Sequence, residues 1–260
     1  MHPFLNIAIQ AARDSSRSIL HFFDRLDQVK VSEKGKNDLV TQVDQLSEQE
    51  IIQHIHKAYP NHSILGEETG RVDNDSEYTW IIDPLDGTAN FVNGFPHFCI
   101  SIAVAKGSQL EIGCVYDPIR QELFTATRGK GAQLNNKRLR VSDTKKIENA
   151  LVGTGFPYRD PELLQTYLHS FNNVLPRVAD IRRTGVAALD LAYVAAGRLD
   201  AFWEPGLKAW DIAAAALIIK EAGGVVTDFK EQQHFLDSGD IIAGNIHTHP
   251  ALYKMINSYF

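Results

Sequence analysis

Residues 80–91 read WIIDPLDGTANF: three bulky apolar residues, Asp83, then Asp86 three positions on, then Gly87-Thr88. An apolar run that ends on a carboxylate describes a buried strand delivering that side chain, rigidly held, to a crevice. Pro, Asp and Gly are equally the ordinary residues of a surface turn. The stretch alone is therefore either a turn or a metal-and-phosphate site. Two carboxylates this close repel unless a cation or a proton lies between them. Hard divalent cations such as Mg²⁺ take oxygen ligands, backbone carbonyls included, so the carbonyl of Leu85 is a third donor. Gly87 lets the backbone approach a ligand closely. Thr88 suits the N-cap of a short helix starting at Ala89, whose N–H groups would face a phosphate.

The decision rests on whether distant parts of the chain supply more carboxylates. Upstream, SILGEETG (63–70) ends a strand-like run with Glu67 and Glu68 after Gly66. Downstream, Trp210-Asp211 opens an Ala-rich helix, although an aspartate in a first helical turn is favoured by the helix dipole alone. Asp44, in DLVTQVD (38–44), has the same two readings.

Composition narrows the class. The 260 residues suffice for one large core or two smaller ones. At 44% hydrophobic and 22% charged, the composition is that of a globular protein and not of a disordered or fibrous one. No apolar run approaches the roughly 18 residues of a membrane span. Arg13 and Asp14 interrupt the N-terminal segment where a signal peptide would be apolar, so it is expected to be an amphipathic helix that stays on the protein. Cys99 and Cys114 sit in apolar, strand-like surroundings, which predicts two buried thiols and a cytoplasmic location. A net charge of -6 argues against a general nucleic-acid-binding surface.

Helical periodicity covers 3–25 and roughly 43–58, the second stopped by Pro60. The period then becomes that of strands: SILGEE, TWIID, FCISIAVAKG, LEIGCVYD and ELFTATRGKGAQL predict a largely antiparallel sheet, with a hairpin at AKGSQLEI and short strands in TRGKGAQLNNKRL. From about 148 strand and helix candidates alternate, as in an α/β half. The polar stretch 141–149 is the expected boundary, giving an α+β domain over 1–145 that carries the DPLDGT motif and an α/β domain over 146–260 that contributes Asp211.

Two other site classes fail on spacing. A haloacid dehalogenase-type aspartyl nucleophile needs D-x-D-G-T, whereas the chain has D-x-x-D-G-T; an EF-hand needs D-x-[DN]-x-[DN]-G, which is absent. Taken together, GEE (66–68), WIIDPLDGTANF and KAWDIAAAALIIKEAGG (208–224) closely resemble the inositol monophosphatase family. DLVTQVD, FPHFCISIAV and IIAGN extend the resemblance over nearly the whole chain, and IRRTGVAALDLAYVAAGRLDAFWE is most similar to the family's bacterial SuhB-type branch.

The resemblance implies an alternating α-β-α-β-α layered sandwich of the α+β class, and it implies roles. Glu67, Asp83 and the carbonyl of Leu85 match the ligands of a first Mg²⁺, and Asp83, Asp86 and Asp211 those of a second. Glu67 matches the residue that also holds a third, weaker ion and orients the attacking water. Thr88, hydrogen-bonded to Asp44, matches the pair that positions this water, and the N–H groups of Gly87 and Thr88 match the phosphate donors. Glu204, Gly185, Val186 and Ala187 match contacts to the sugar or cyclitol, with Arg183 beside them. The implied activity is Mg²⁺-dependent hydrolysis of inositol monophosphate by metal-activated water, without a phosphoenzyme and sensitive to Li⁺. Fructose 1,6-bisphosphate and 3′-phosphoadenosine 5′-phosphate are the alternative substrates. The resemblance also implies a homodimer, and it raises association with RNA polymerase in transcription antitermination, to which the RRTG block and the basic cluster Lys137, Arg138 and Arg140 are the candidate contributors.

The remaining features have plain readings. His54 and His56 are two apart on a helix and face different ways. His247 and His249 belong to a strand-to-helix connection, and Gly129-Lys130-Gly131 is a turn. Lys34 and Lys36 flank Gly35 as a solvated turn or a loop that neutralises phosphate.

Overall fold

The computed structural model describes residues 2–35, 38–158 and 160–260. The chain starts with α1 (Pro3–Phe23), crosses a small hairpin β1 (Val31–Gly35) and β2 (Asp38–Thr41), and enters α2 (Gln42–Ala58). That hairpin, with little apolar alternation, was not anticipated, and the Lys36 of the Gly35 turn, like the side chain of Lys34, lies outside the described residues. Thr41 caps α2: its hydroxyl accepts from Val43 N, and the Asp44 carboxylate accepts from Thr41 N in return.

The next strands are β3 (Ser63–Gly66), β4 (Gly70–Val72) and β5 (Tyr78–Asp86), followed by the short α3 (Thr88–Val92). Then come β6 (Cys99–Lys106), β7 (Gln109–Asp117), β8 (Glu122–Thr127), β9 (Gly131–Leu134) and β10 (Lys137–Arg138). They form one eight-stranded sheet in the order β10-β9-β8-β7-β6-β5-β3-β4. It is antiparallel throughout except for the β3–β5 pair, which is parallel because β4 folds back at the sheet edge between them.

The second sheet, β12-β11-β13-β15-β14, is built from β11 (Leu151–Thr154), β12 (Asp180–Arg182), β13 (Ala201–Glu204), β14 (Val225–Thr227) and β15 (Ile241–Gly244). Helices α4 (Pro161–Val174), α5 (Ala187–Ala195), α6 (Ala209–Glu221), α7 (Phe235–Ser238) and α8 (Thr248–Ile256) are interspersed. The strand and helix alternation is as expected, but the sheet is mixed: β11 runs parallel to β12 and β13, while β15 is antiparallel to β13 and β14.

The layers alternate helix, sheet, helix, sheet, helix. Helices α1 and α2 cover one face of the large sheet, α5 and α6 fill the space between the sheets, and α4 and α8 cover the far side. Three apolar cores match those interfaces. The middle one bears on the composition of α6: Ala213, Ala214, Ala215 and Ala216 are all fully buried where the helix backbone comes close to Gly113 of β7, while Ile212, Leu217, Ile218 and Ile219 are buried in the same core. Cys99 and Cys114 are free and buried, as expected. No helix among the described residues is long and apolar enough to cross a membrane.

Candidate active site

The DPLDGT segment is not a surface turn. Strand β5 continues through Pro84 and Leu85 to Asp86, with an irregularity in its pairing to β6 between Asp83 and Asp86. The bend is local: Leu85 N donates to Asp83 Oδ1 at 3.0 Å, and the Leu85 side chain is buried. The chain turns only at Gly87, whose φ of 100° is a conformation that side-chain-bearing residues rarely adopt. A Cβ there would also lie 2.8 Å from Val186 Cγ2. Gly87, not Thr88, is the N-cap of α3, and Thr88 is the first helical residue. The Thr88 hydroxyl is used otherwise: it donates to Asp44 Oδ1 at 2.8 Å and also lies 3.1 Å from the Leu85 carbonyl.

Glu67, Asp83, Leu85, Asp86, Gly87, Thr88, Arg183, Gly185, Val186, Ala187, Glu204 and Asp211 all line one cleft of about 500 Å³. Asp44 alone of the sequence-predicted residues stands behind the wall, holding Thr88 while its Oδ2 accepts from Thr41 N and Oγ1. Residues from the ends of β5 and β13 and from the starts of α5 and α6 share this cleft. Asp86 Oδ2 accepts from Ala188 N at 2.8 Å, tying β5 to the first turn of α5. Asp211, in the first turn of α6, accepts from Lys208 N at 2.8 Å. Arg183 lies over the rings of Phe156 and Tyr158, at 5.4 and 5.9 Å from their centroids, at the cleft's outer end.

The cleft is strongly acidic. Burial, then the charges of Glu67, Asp86 and Asp211, push the Asp83 carboxyl well above the usual carboxylate range, and it shares a hydrogen bond with Glu67. Enclosure, then Asp211, raises Asp86 in the same way, against the opposing effect of the Ala188 N–H. Enclosure and the nearby Asp190 raise Glu204 to about 8. Among the described residues no three His, Cys, Asp or Glu side chains already stand at mutual metal-binding spacing. The donor set nonetheless fits a hard divalent cation: it is all oxygen, and the mutual repulsion that raises the Asp83 and Asp86 carboxyls is what a bound cation would relieve.

Sequence reasoning missed the residues behind and beside this set. Asp190 lines the cleft wall, is 1% exposed, and accepts from Thr184 Oγ1 at 2.8 Å; its signal was a lone carboxylate in the apolar run of α5. Ser47 and Glu48 are buried one turn beyond Asp44 on the same face of α2, and that spacing from Asp44 was their signal. Phe156 and Tyr158 carried none.

The sequence profile of the inositol monophosphatase family matches residues 1–260. The chain belongs to that family, and it is a phosphatase of that metal-dependent class. It is 52% identical to the protein named Nus factor SuhB of Pseudomonas aeruginosa over 264 residues, covering 100% of this chain and 97% of the relative. Among solved structures, the extragenic suppressor protein suhB of Bartonella henselae superposes with a TM-score of 0.95 at 42% identity, covering 98% of each chain. The inositol monophosphatase of Anabaena (Nostoc) sp. PCC 7120 superposes with a TM-score of 0.88 at 35% identity, covering 98% of this chain and 95% of the other.

Proposed function

We propose that the protein hydrolyses a phosphate monoester of a small polyol, inositol monophosphate first, with Mg²⁺ held by Glu67, Asp83, the Leu85 carbonyl, Asp86 and Asp211. The observation that carries this reading is the convergence of those four carboxylates on one cleft whose wall holds the Asp44–Thr88 pair. Bound Mg²⁺ supplies positive charge that offsets the phosphate dianion and lowers the pKa of water. Thr88 donates its proton to Asp44, so its oxygen lone pairs are left to accept from the attacking water and fix its direction. Glu67 lines the same cleft and is the second group able to orient that water. Gly87 and Thr88 begin α3, where backbone N–H groups have no partner within the helix and serve a phosphate. Glu204, Arg183 and the backbone of Gly185, Val186 and Ala187 face the alcohol.

Phosphate release from inositol monophosphate, fructose 1,6-bisphosphate and 3′-phosphoadenosine 5′-phosphate, with and without Mg²⁺ and with added Li⁺, tests the reading. Inositol monophosphate is expected to be the best substrate, with activity dependent on Mg²⁺ and lost to Li⁺. No Mg²⁺-dependent release from any of them would sink it. A homodimer stands with this reading and is checked by sedimentation.

A second role is favoured by the name Nus factor SuhB of relatives at about half identity across the whole chain. On that reading the protein also joins an RNA polymerase complex, with Lys137, Arg138 and Arg140, exposed at the end of the large sheet, as contributors. Copurification with RNA polymerase tests it, and a deletion phenotype rescued by Asp86→Asn would rank binding above catalysis.

A further inference from the structure

Glu48 is a carboxylate that the proposed chemistry does not use. It is 1% exposed, does not line the cleft, and lies on α2 one turn beyond Asp44. Its Oε2 accepts from Glu68 N at 3.0 Å, and its Oε1 accepts from Thr69 N at 2.6 Å and from the Thr69 hydroxyl. These are the two residues that follow Glu67 in the turn between β3 and β4. The residue before Glu67 is shaped to the same contact: a Cβ on Gly66 would lie 2.5 Å from Glu48 Oε2. On its other side, Glu67 N donates to Ile82 O at 3.1 Å on β5. Glu67 is thus fixed from both directions, to the strand that carries Asp83 and to α2.

The neighbouring residues of that helix face behave alike. Asp44 holds Thr88, Ser47 Oγ donates to the Pro84 carbonyl at 3.0 Å, and Glu48 holds the 68–69 turn. Positions i, i+3 and i+4 share one side of a helix, so a single rigid face fixes three chain segments that are distant in sequence. Backbone N–H groups donating to a carboxylate make stronger hydrogen bonds than neutral pairs. The turn joins β3 to β4 at the sheet edge, with Thr69 exposed.

We infer that Glu48 is a positioning residue: by clamping the turn after Glu67 it sets the cation affinity of the site. The inference rests on the metal-dependent reading above. Partners that orient a metal's ligands without touching it are worth about 10- to 100-fold in affinity or activity.

The experiment is Mg²⁺ titration of metal-free protein by calorimetry, alongside the Mg²⁺ dependence of phosphate release, for the wild type, Glu48→Gln and Thr69→Val. Glu48→Gln keeps the volume but sets an amide donor against a backbone N–H. It is expected to weaken Mg²⁺ binding by about tenfold or more in both readouts, with kcat returning to within about threefold of wild type at saturating Mg²⁺. Thr69→Val removes one donor and leaves the Glu48 charge, so it shifts affinity the same way by less. An unchanged Mg²⁺ affinity in Glu48→Gln together with a lower melting temperature overturns the inference, leaving Glu48 a purely structural residue. Should Glu48→Gln fail to fold, unchanged affinity in Thr69→Val overturns it instead. A wild type that neither binds Mg²⁺ nor releases phosphate removes the phosphatase reading and this inference with it, whereas a binding wild type with an unaltered variant removes this inference alone.

Discussion

Asp86 joins two functions in one side chain, since Oδ2 accepts the Ala188 N–H while the carboxylate faces the acidic cleft. An asparagine keeps an acceptor for that N–H and loses the charge. Asp86→Asn is therefore expected to fold and to lose on the order of 10²–10³ of Mg²⁺-dependent phosphate release; near-full activity in the purified variant would remove Asp86 from the ligand set. Asp190 offers a test by pH. Burial raises its carboxyl from 3.8 to about 7, and among the described residues its Oδ1 has no hydrogen-bond partner. The unfolded chain loses this proton near pH 4, whereas the folded chain keeps it to about pH 7, so the unfolded state binds fewer protons across that window. Stability consequently falls as pH rises from about 4 to 7, and the penalty is complete above it. In urea denaturation of metal-free protein, Asp190→Asn should flatten this fall and gain on the order of 2–4 kcal/mol at pH 8 relative to pH 4. A pH dependence equal to that of the wild type would show that Asp190 does not carry the shift.

At the scale of elements, α2 and α6 do the most to build the site. Helix α2 brings Asp44, Ser47 and Glu48 to three separate segments. Helix α6 carries Asp211 at its start and then runs between the two sheets. Its Ala214 is fully buried and its carbonyl faces Gly113 of β7 so closely that a Cβ on that glycine would lie 2.4 Å away. Helix and strand backbones are thus in close contact here, and the fully buried Ala214 side chain sits in a packed core. Ala214→Leu is expected to destabilise the fold by about 1–3 kcal/mol, and because Asp211 sits on the same helix, its Mg²⁺ affinity should weaken as well. Denaturation and calorimetry measure the two effects, and a neutral outcome in both would mean that α6 can shift without cost.

For the whole molecule, the cleft concentrates negative charge where β5, α5 and α6 converge, and the metal-free fold bears the repulsion. Two consequences follow from the same electrostatics. Mg²⁺ at a hundredfold its dissociation constant should stabilise the fold by about 2.7 kcal/mol. Asp83→Asn, which removes the most crowded of these charges, should abolish activity and yet raise metal-free stability by about 0.5–2 kcal/mol. Thermal denaturation with Mg²⁺ and with a chelator separates the two; a less stable Asp83→Asn would mean that its hydrogen bonds outweigh the repulsion.

Much of this was legible along the chain. Apolar periods of two and of 3.6 announced most strands and helices, because burial of one face imposes them wherever a segment packs. D-x-x-D-G-T, GEE and W-D marked the carboxylates, since charge next to an apolar run is costly without a purpose. The β1–β2 hairpin carried no such period, and Thr88 was placed one residue out because Gly87 can cap a helix with no side chain at all. What tertiary structure alone decided is which carboxylates meet. Glu67 lies in the turn just after β3 and Asp83 on the neighbouring β5, Asp211 arrives from a helix more than a hundred residues later, and Glu48 acts through that turn from twenty residues away. Local sequence sets the period and the propensity of each element, but distances between elements are set by the packing of α6 between two sheets and of α2 against one. The cleft exists only where those packings coincide.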